Sequence, residues 1–574
     1  MNKPDADIVV VGGGIAGAYT AWQLLTHDLG NGQAADWAKL RDGKLKVVVL
    51  EGSDRIGGRM LSARSDKMPG TTAELGGMRY VVPGHSRMQK LVEQELGLSY
   101  HRQLVDAPEN IAFLRGRLLR MTELGDPGRL PYFFSPSEMA WLSAVPSRTP
   151  AGLVGRVLAQ LIPGIEAQAS NADFRKYLSD VKIDGQPLWQ LGLWNLLFRG
   201  MSPDAYISAR NTIGYDSLLG NFNALDIAAE YFDFAPNTEY RMIDDGFERI
   251  PWELHQRILG AGGELRLNCW ADGFIGTTLS DGTRGVEVRL RSGGSLTARA
   301  IVLALPRRSI ELLRPEGEIL SDRNGGFRHM LASVFPVPLL KIFLVYPECW
   351  WQDSGVTKGR SLTDMPLRQC YYWPSAKFDN GSITEFSPPG RHDPGMIMAY
   401  DDMANGTFWS GLDPRGEVHR AGLSLTDRSG AEAHTVGVTA QEMIQVGLSV
   451  PQKNVSGTDF SGRLQANWSA LRATTPLWRE THRQLMVMHG VDSAPEPTDF
   501  AYMDWSRDPF GGGVHFWNPG YKSDELRDKM IQPEPGFPCY VCGEAYSTKQ
   551  SWVEGALQTA DLVLAKFFDP VGRV

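Results

Sequence analysis

The sequence is poor in three features that would each indicate a particular class of protein. Only five of its 574 residues are cysteine, an odd and sparse number that does not make a disulfide framework. No apolar run approaches the ~18 residues of a membrane-spanning helix. The formal net charge of −8 argues against a nucleic-acid partner. We therefore expect no nucleic-acid or membrane partner, and the lack of a signal peptide before the first predicted strand favours a cytoplasmic location.

Two of the cysteines, Cys539 and Cys542, have C-x-x-C spacing. A zinc site would need a second pair of ligands at a similar spacing, and this pair lies in an apolar, strand-like run. We interpret both thiols as core residues and predict no metal site.

The order of sequence patterns predicts domains built from segments that are not contiguous. A chain of this length is expected to form two to four domains with a large core. Strand patterns over 1–60 and 263–305 flank a stretch, 137–228, in which Leu, Ala and Trp recur at three- and four-residue spacing. Further strands are predicted at 338–346, 397–400 and 540–544. We expect an α/β fold, α+β in parts, with an inserted helical region.

A glycine-rich turn follows the first predicted strand. Asp7–Val11 is largely β-branched and leads through Gly12-Gly13-Gly14 into a helix-like segment. A strand, a glycine turn and a helix in this order bring backbone N–H groups up to a pyrophosphate. A second buried-strand pattern, Val47–Leu50, ends in Glu51, an acid suited to a ribose 2′-hydroxyl. The predicted nucleotide-binding residues here are Gly12, Gly14, Ile15, Ala16, Gly17, Glu51 and Gly52.

The residues after Glu51 indicate whether the bound nucleotide is NAD or FAD. Arg55-Ile-Gly-Gly-Arg59 adds a second glycine turn with two cations, and it resembles the second glycine motif of the flavin amine oxidase superfamily. Further segments resemble motifs of that superfamily in the same order, namely 244–251, 300–306, 339–351 and 542–556. The resemblance covers nearly the whole chain and implies that the nucleotide is FAD.

The resemblance also implies how the FAD is held. Trp505 and the stretch 508–513 are similar to the segment over the flavin, and because that stretch has no cysteine we expect non-covalent FAD. The further cofactor-binding residues that it implies are Arg59, Gly77, Met78, Arg79, Trp505, Gly543, Glu544, Trp552, Val553 and Ala556.

The implied architecture has a Rossmann-like FAD-binding domain, an interleaved mixed-sheet substrate domain and an inserted helical subdomain. We predict the FAD-binding domain at 1–66, 240–316 and 526–574, the substrate-binding domain at 67–125 and 317–525, and the helical subdomain at 126–239.

Within the superfamily the chain resembles the L-amino acid oxidases. The segment Ala73-Glu-Leu-Gly-Gly-Met-Arg79 is similar to that of monoamine oxidases up to the glycines, but those enzymes lack the arginine. A zwitterionic substrate carries a carboxylate, and arginine is the planar, always-charged donor that binds a carboxylate bidentately. We therefore predict that Arg79 binds the substrate carboxylate.

The same resemblance implies the other residues around the substrate. In Pro366-Leu-Arg-Gln-Cys-Tyr-Tyr372, one tyrosine is implied to bind the carboxylate; alternation along a strand sends Tyr371 and Tyr372 to opposite faces, and we favour Tyr371. Trp552 is implied to line the substrate pocket. Ser551, where the family often has glycine, is implied to present its backbone to the amino group, and Lys341 to hold a water at flavin N5.

The implied reaction is the oxidation of an L-amino acid by hydride transfer from Cα to flavin N5, with O2 as acceptor. Its products are a 2-oxo acid, ammonia and hydrogen peroxide. The alternatives are an amino acid 2-monooxygenase, a monoamine or polyamine oxidase and a non-catalytic flavin-binding module.

A homodimer or higher homo-oligomer is a family-level expectation only. The sequence does not indicate which side chains are preferred: an acidic pocket residue from the helical block would favour lysine or arginine, but no such residue could be placed.

Overall fold

The structure is a computed structural model that describes residues 3–30, 32–171, 173–233, 238–373, 390–413 and 460–568. The described strands are β1 (Ala6–Val11), β2 (Val47–Leu50), β3 (Ser62–Ala63), β4 (Ala73–Glu74), β5 (Tyr80–Val82), β6 (Tyr100–Arg102), β7 (Ile111–Leu114), β8 (Arg117–Arg120), β9 (Lys182–Ile183), β10 (Gln186–Pro187), β11 (Glu239–Ile243), β12 (Glu264–Arg266), β13 (Ala271–Thr278), β14 (Arg284–Leu290), β15 (Ser295–Leu303), β16 (Val334–Val337), β17 (Leu339–Tyr346), β18 (Arg360–Thr363), β19 (Gln369–Trp373), β20 (Gly395–Asp402), β21 (Asp499–Asp504), β22 (Val514–Trp517) and β23 (Cys539–Val541).

The described α-helices are α1 (Ile15–Thr26), α2 (Gln33–Lys39), α3 (Ser86–Gln89), α4 (Pro136–Ser143), α5 (Leu153–Leu161), α6 (Ile165–Gln168), α7 (Phe174–Asp180), α8 (Leu193–Leu197), α9 (Pro203–Ile213), α10 (Ala224–Asp233), α11 (Arg249–Gly260), α12 (Arg307–Glu311), α13 (Gly317–Leu320), α14 (Gly325–Ala332), α15 (Gly406–Gly411), α16 (Phe460–Ala470), α17 (Thr475–His489), α18 (Ser523–Ile531) and α19 (Val553–Phe567). Among these described helices, none has the length and apolarity needed to cross a bilayer.

The first sheet contains the first and the last described strands and has the strand order β12-β2-β1-β15-β14-β13, with β23 also pairing with β15. Strand β1 runs parallel to β2 and β15. Its residues are buried on both faces: Ile8 and Val10 belong to one core cluster, and Val9 and Val11 belong to another. A continuous run of β-branched residues suits a parallel strand that is covered on both sides.

The second sheet has the order β21-β17-β20-β19-β18-β7-β8. Side chains of its central strands are buried on both faces of the sheet. Along β17, Phe343 and Val345 pack on one face, whereas Ile342 and Leu344 pack on the other. Lys341 therefore shares the face of Phe343. This face borders the functional site described below.

A separate helical core is formed mainly by α4–α10, which lie between β8 and β11 in the sequence. Ser135 begins α4 with a capping box, in which its side chain accepts from the backbone of Glu138. The short β9–β10 hairpin was not predicted. Helix α3 is short and continues directly into a π-helical stretch, Lys90–Leu96. Cys539 and Cys542 are buried free thiols, as expected for core residues.

Candidate active site

A single elongated cavity extends from the carboxyl ends of β1 and β2 to the inner face of the second sheet. Nearly all of the predicted site residues line it, namely Gly12, Gly14, Ile15, Ala16, Glu51, Gly52, Arg59, Gly77, Met78, Arg79, Lys341, Trp505, Gly543, Glu544, Ser551, Trp552, Val553 and Ala556. The predicted residues that do not line it are Gly17, Tyr371 and Tyr372.

The turn after β1 is built so tightly that glycine is required at two positions. Gly12 has a φ of +111°, and a Cβ there would lie 2.5 Å from the carbonyl oxygen of Ala304. A Cβ on Gly17 would lie 2.0 Å from the carbonyl oxygen of Gly12. Gly17 therefore lets α1 pack against the turn, and it does not line the cavity.

Glu51 lies at the end of β2 and is held by the turns on both sides. Its Oε2 accepts from the backbone N of Gly13 at 2.7 Å, and its Oε1 accepts from the backbone N and Oγ of Ser53 at 2.9 and 2.8 Å. The carboxylate thus lies at the cavity wall beside the first glycine turn.

Glu544 joins three segments of the cavity wall. It accepts from the backbone N atoms of His515 and Ser551, both at 2.8 Å, and from the Arg59 guanidinium at 2.9 Å. Burial by itself raises the pKa of Glu544, but the charges of Arg59 and His515 outweigh it and lower the pKa to about 2. Glu544 is therefore a carboxylate that orients Arg59 and the residue before Trp552.

Lys341 is buried, and its Nζ donates to the carbonyl oxygens of Glu74 and Gly76 at 3.0 and 2.5 Å. Burial lowers the pKa of Lys341, and the nearby Glu74 carboxylate acts in the opposite direction. Trp505 donates from Nε1 to the carbonyl oxygen of Leu75 at 2.8 Å. The backbone at 74–76 therefore fixes both side chains, which come from distant parts of the sequence.

Arg79 is a buried cation whose hydrogen-bond partners are all neutral. It donates to Gln103 Oε1 at 2.9 Å and to the Tyr215 hydroxyl at 2.8 Å, and its guanidinium lies 4.3 Å from the centre of the Tyr240 ring. Among the residues that the structure describes, no carboxylate lies within 4 Å of it. Buried charges are normally paired, so this guanidinium is suited to an anionic ligand.

The two tyrosines of β19 lie on opposite faces of the sheet, as alternation predicts. The Tyr372 hydroxyl donates to Ser361 at 2.7 Å and contacts His489 at 2.8 Å, so of the two alternatives Tyr372 is the one that lies in the core. Tyr371 lies on the cavity side but behind Tyr215, whose hydroxyl is 2.7 Å from its own. The wall position expected for Tyr371 is therefore occupied by Tyr215.

Tyr215 reaches Arg79 because of the way the chain leaves α9. Gly214 ends that helix with a φ of +83°, which permits the sharp turn. Asp402 on β20 then accepts from the backbone N atoms of Asp216 and Ser217, at 3.0 and 3.1 Å. Tyr400 also lines the cavity. Neither tyrosine lies in a recognisable motif, so no sequence signal could have identified them.

The segment before α19 closes the cavity. Ser551 has a φ of +68°, a left-handed conformation that is uncommon for residues other than glycine. The backbone thus adopts here a conformation that glycine takes more readily than serine. Trp552 donates from Nε1 to Glu230 Oε1 at 2.9 Å. Glu230 comes from α10 of the helical region and was not predicted.

The cavity fits FAD. Its two glycine turns approach each other closely, since a Cβ on Gly58 would lie only 3.2 Å from Cα of Gly14. Helix α1 begins at Ile15, directly after the first turn, so its N-terminal N–H groups lie where a pyrophosphate is best bound. The cavity continues to Lys341, and the aromatic side chains that also line it, Tyr400, Trp505 and Trp552, are suited to the flat ring of a flavin.

Comparison with known proteins agrees with this geometry. Residues 15–417 match the family described as flavin containing amine oxidoreductase. Aplysianin-A of Aplysia kurodai is 24% identical, with 98% of this chain and 90% of that protein covered. An L-amino-acid oxidase of Bothrops pauloensis is 25% identical, with 71% and 70% covered. The solved cyclohexylamine oxidase of Brevibacterium oxydans has a TM-score of 0.58 and 17% identity, with 99% of this chain and 100% of that chain covered. The chain belongs to the flavin containing amine oxidoreductase family, and its cofactor is FAD.

Proposed function

We propose that the protein is an L-amino acid oxidase that converts L-amino acids and O2 to 2-oxo acids, ammonia and hydrogen peroxide. The observation that carries the proposal is Arg79, a buried guanidinium with no carboxylate partner among the described residues, in the same cavity as Lys341. A simple amine has no group for this cation to bind, whereas an amino acid carboxylate accepts two parallel hydrogen bonds from it. The similarity to a protein named L-amino-acid oxidase supports the same substrate class.

Arg79 and Tyr215 orient the substrate. A carboxylate that pairs with the guanidinium also comes within reach of the Tyr215 hydroxyl, which donates to it while accepting from Tyr371. Fixing the carboxylate positions Cα relative to the cofactor. Bound FAD, held non-covalently, supplies the two-electron acceptor at its N5 atom. The substrate amine must be neutral to lose a hydride, so the rate is expected to rise with pH.

Lys341 serves the oxygen half of the reaction by holding a water. Two of its N–H groups are taken by the carbonyl oxygens of Glu74 and Gly76, which leaves one position on Nζ for a solvent molecule. Burial lowers the pKa of Lys341, and a lysine whose pKa lies nearer neutrality exchanges a proton with that water more readily.

The proposal is tested by a peroxide assay of the holoenzyme over L-amino acids, D-amino acids and simple amines, with the organic product identified. We expect peroxide with L-amino acids only, together with the 2-oxo acid. Peroxide with amines but not amino acids would show an amine oxidase instead. An amide one carbon shorter than the substrate would show a monooxygenase, and the absence of any turnover would refute a catalytic role.

A further inference from the structure

Glu230 places a negative charge in the wall of the cavity that also contains Arg79. It lies on α10, is 9% exposed and lines that cavity. The two groups come from different elements of the fold: Arg79 follows β4, whereas Glu230 belongs to the helical region. One cavity thus carries a buried cation for a carboxylate and, separately, a buried carboxylate.

The charge of Glu230 is not balanced by an ion pair. Its Oε1 accepts from the neutral indole N–H of Trp552, and no cation of the described chain lies within 4 Å of it. Arg175, a more distant cation, is already paired with Asp226 at 2.5 Å. Burial raises the pKa of Glu230, while the Trp552 hydrogen bond and the charge of Lys549 act to lower it. A buried carboxylate in this state is stabilised by a ligand that brings a positive charge.

We propose that Glu230 binds the cationic end of the substrate side chain, so that the preferred substrates are L-amino acids with a terminal ammonium or guanidinium group, such as L-lysine and L-arginine. This rests on the proposed function, because Arg79 must bind the α-carboxylate for the side chain to be directed elsewhere. The cavity is also lined by Leu218, Val514 and Phe516, which are suited to the methylene groups of such side chains.

Two other roles for Glu230 give different experimental results. If Glu230 bound the α-ammonium, which every amino acid carries, its removal would affect all substrates equally. If it served only to hold Trp552, then Glu230→Gln, which keeps an oxygen acceptor for the indole N–H, would leave the relative rates unchanged.

The kinetic test compares substrates that differ only in the side-chain charge. We expect wild-type kcat/KM to be higher for L-lysine than for L-norleucine, and higher for L-arginine than for L-citrulline. In Glu230→Gln each ratio should fall by at least about 30-fold, the effect of breaking a buried charge pair. Glu166→Gln, which removes an exposed carboxylate of the same helical region, should leave both ratios unchanged.

The binding test uses 6-aminohexanoate, which has the carboxylate and terminal ammonium of lysine but no α-amine. It should inhibit the wild-type holoenzyme competitively and at least about 30-fold more tightly than hexanoate, and Glu230→Gln should abolish that difference. Because the probe lacks an α-amine, the difference cannot arise from Glu230 binding that group.

The outcomes separate this inference from the proposed function. If norleucine is oxidised as well as lysine and hexanoate binds as well as 6-aminohexanoate, the role of Glu230 is refuted while the oxidase survives. An equal loss on all substrates in Glu230→Gln also overturns it. If the wild type oxidises no L-amino acid, the proposed function itself fails. The wild-type comparisons remain decisive even if the variant does not fold.

Discussion

Replacing Arg79 by methionine tests the carboxylate-binding role most directly. The variant keeps an unbranched side chain but removes the planar cation, so a bound amino acid would leave its carboxylate buried and unpaired. Removing one partner of a buried, hydrogen-bonded charge pair costs about 2 to 5 kcal/mol. If that interaction is present in the transition state, kcat/KM for L-leucine should fall about 30- to 5,000-fold.

The loss of kcat/KM in Arg79→Met should depend on whether the substrate has a carboxylate, which it would not do if Arg79 had only a general structural role. 3-Methylbutylamine is leucine without its carboxylate, and whatever slow turnover it has should not fall in Arg79→Met. The assay is peroxide formation under initial-rate conditions with both compounds. If leucine oxidation kept its full kcat/KM, or if both compounds lost activity equally, the assignment of Arg79 would be refuted.

The free energy of unfolding gives a second test of whether Arg79 serves the substrate or the fold, since Arg79 has no carboxylate partner among the described residues. Arg368 is also buried, but it donates to both oxygens of Asp216, at 2.9 and 2.7 Å. Arg368→Met should therefore lower the free energy of unfolding by about 1.5 to 3 kcal/mol, because it removes the charged hydrogen bonds to buried Asp216, which keeps Arg210 as its second cation. Arg79→Met should cost much less when no substrate is bound. Urea denaturation of the two variants checks this contrast, and an equal loss would show that Arg79 is structural.

Three further predictions concern other parts of the molecule. Tyr215→Phe should raise KM for amino acids about 10-fold, since one hydrogen bond to a charged group contributes about 1.5 kcal/mol or more, and steady-state kinetics check this. Gly17→Ala should lower the urea midpoint by overpacking α1 against Gly12, at a cost of about 1 to 3 kcal/mol. Burial lowers the pKa of His489 to about 4, so the unfolded chain binds a proton that the folded chain does not as pH falls from about 6.5 to 4. The free energy of unfolding should therefore fall across that window, by on the order of 3 kcal/mol from this residue, and His489→Gln should reduce the slope.

Matched variants give each of these predictions a comparison. Tyr177→Phe removes a hydroxyl that does not line the cavity and should leave KM unchanged; an equal rise would refute the role of Tyr215. Gly260→Ala lies in α11 with nothing within 4 Å of the added Cβ, and should be neutral or stabilising. His329→Gln removes an exposed histidine and is the matched control for the pH dependence of the free energy of unfolding. If His489→Gln had the same pH dependence as the wild type, the argument from burial would be contradicted.

The sequence could predict those site residues whose position at the cavity depends on a short segment of the chain around them. The glycine turn after β1 and Glu51 at the end of β2 follow from local patterns, whereas Lys341 follows from the family resemblance of its segment, and all three line the cavity. Tyr372 shows the limit, because strand alternation separates it from Tyr371 but does not reveal which face borders the cavity.

The sequence by itself determined the family, the nucleotide and the cation expected to bind a carboxylate, because these depend on short segments whose geometry is local. Only the tertiary structure decided what surrounds that cation. Tyr215 replaces Tyr371 at the wall because α9 ends at Gly214 and turns inward, and Glu230 enters the cavity because α10 packs against the segment that precedes α19. Neither contact follows from spacing along the chain: Glu230 and Trp552 are 322 residues apart, and only the packing of separate elements brings them together.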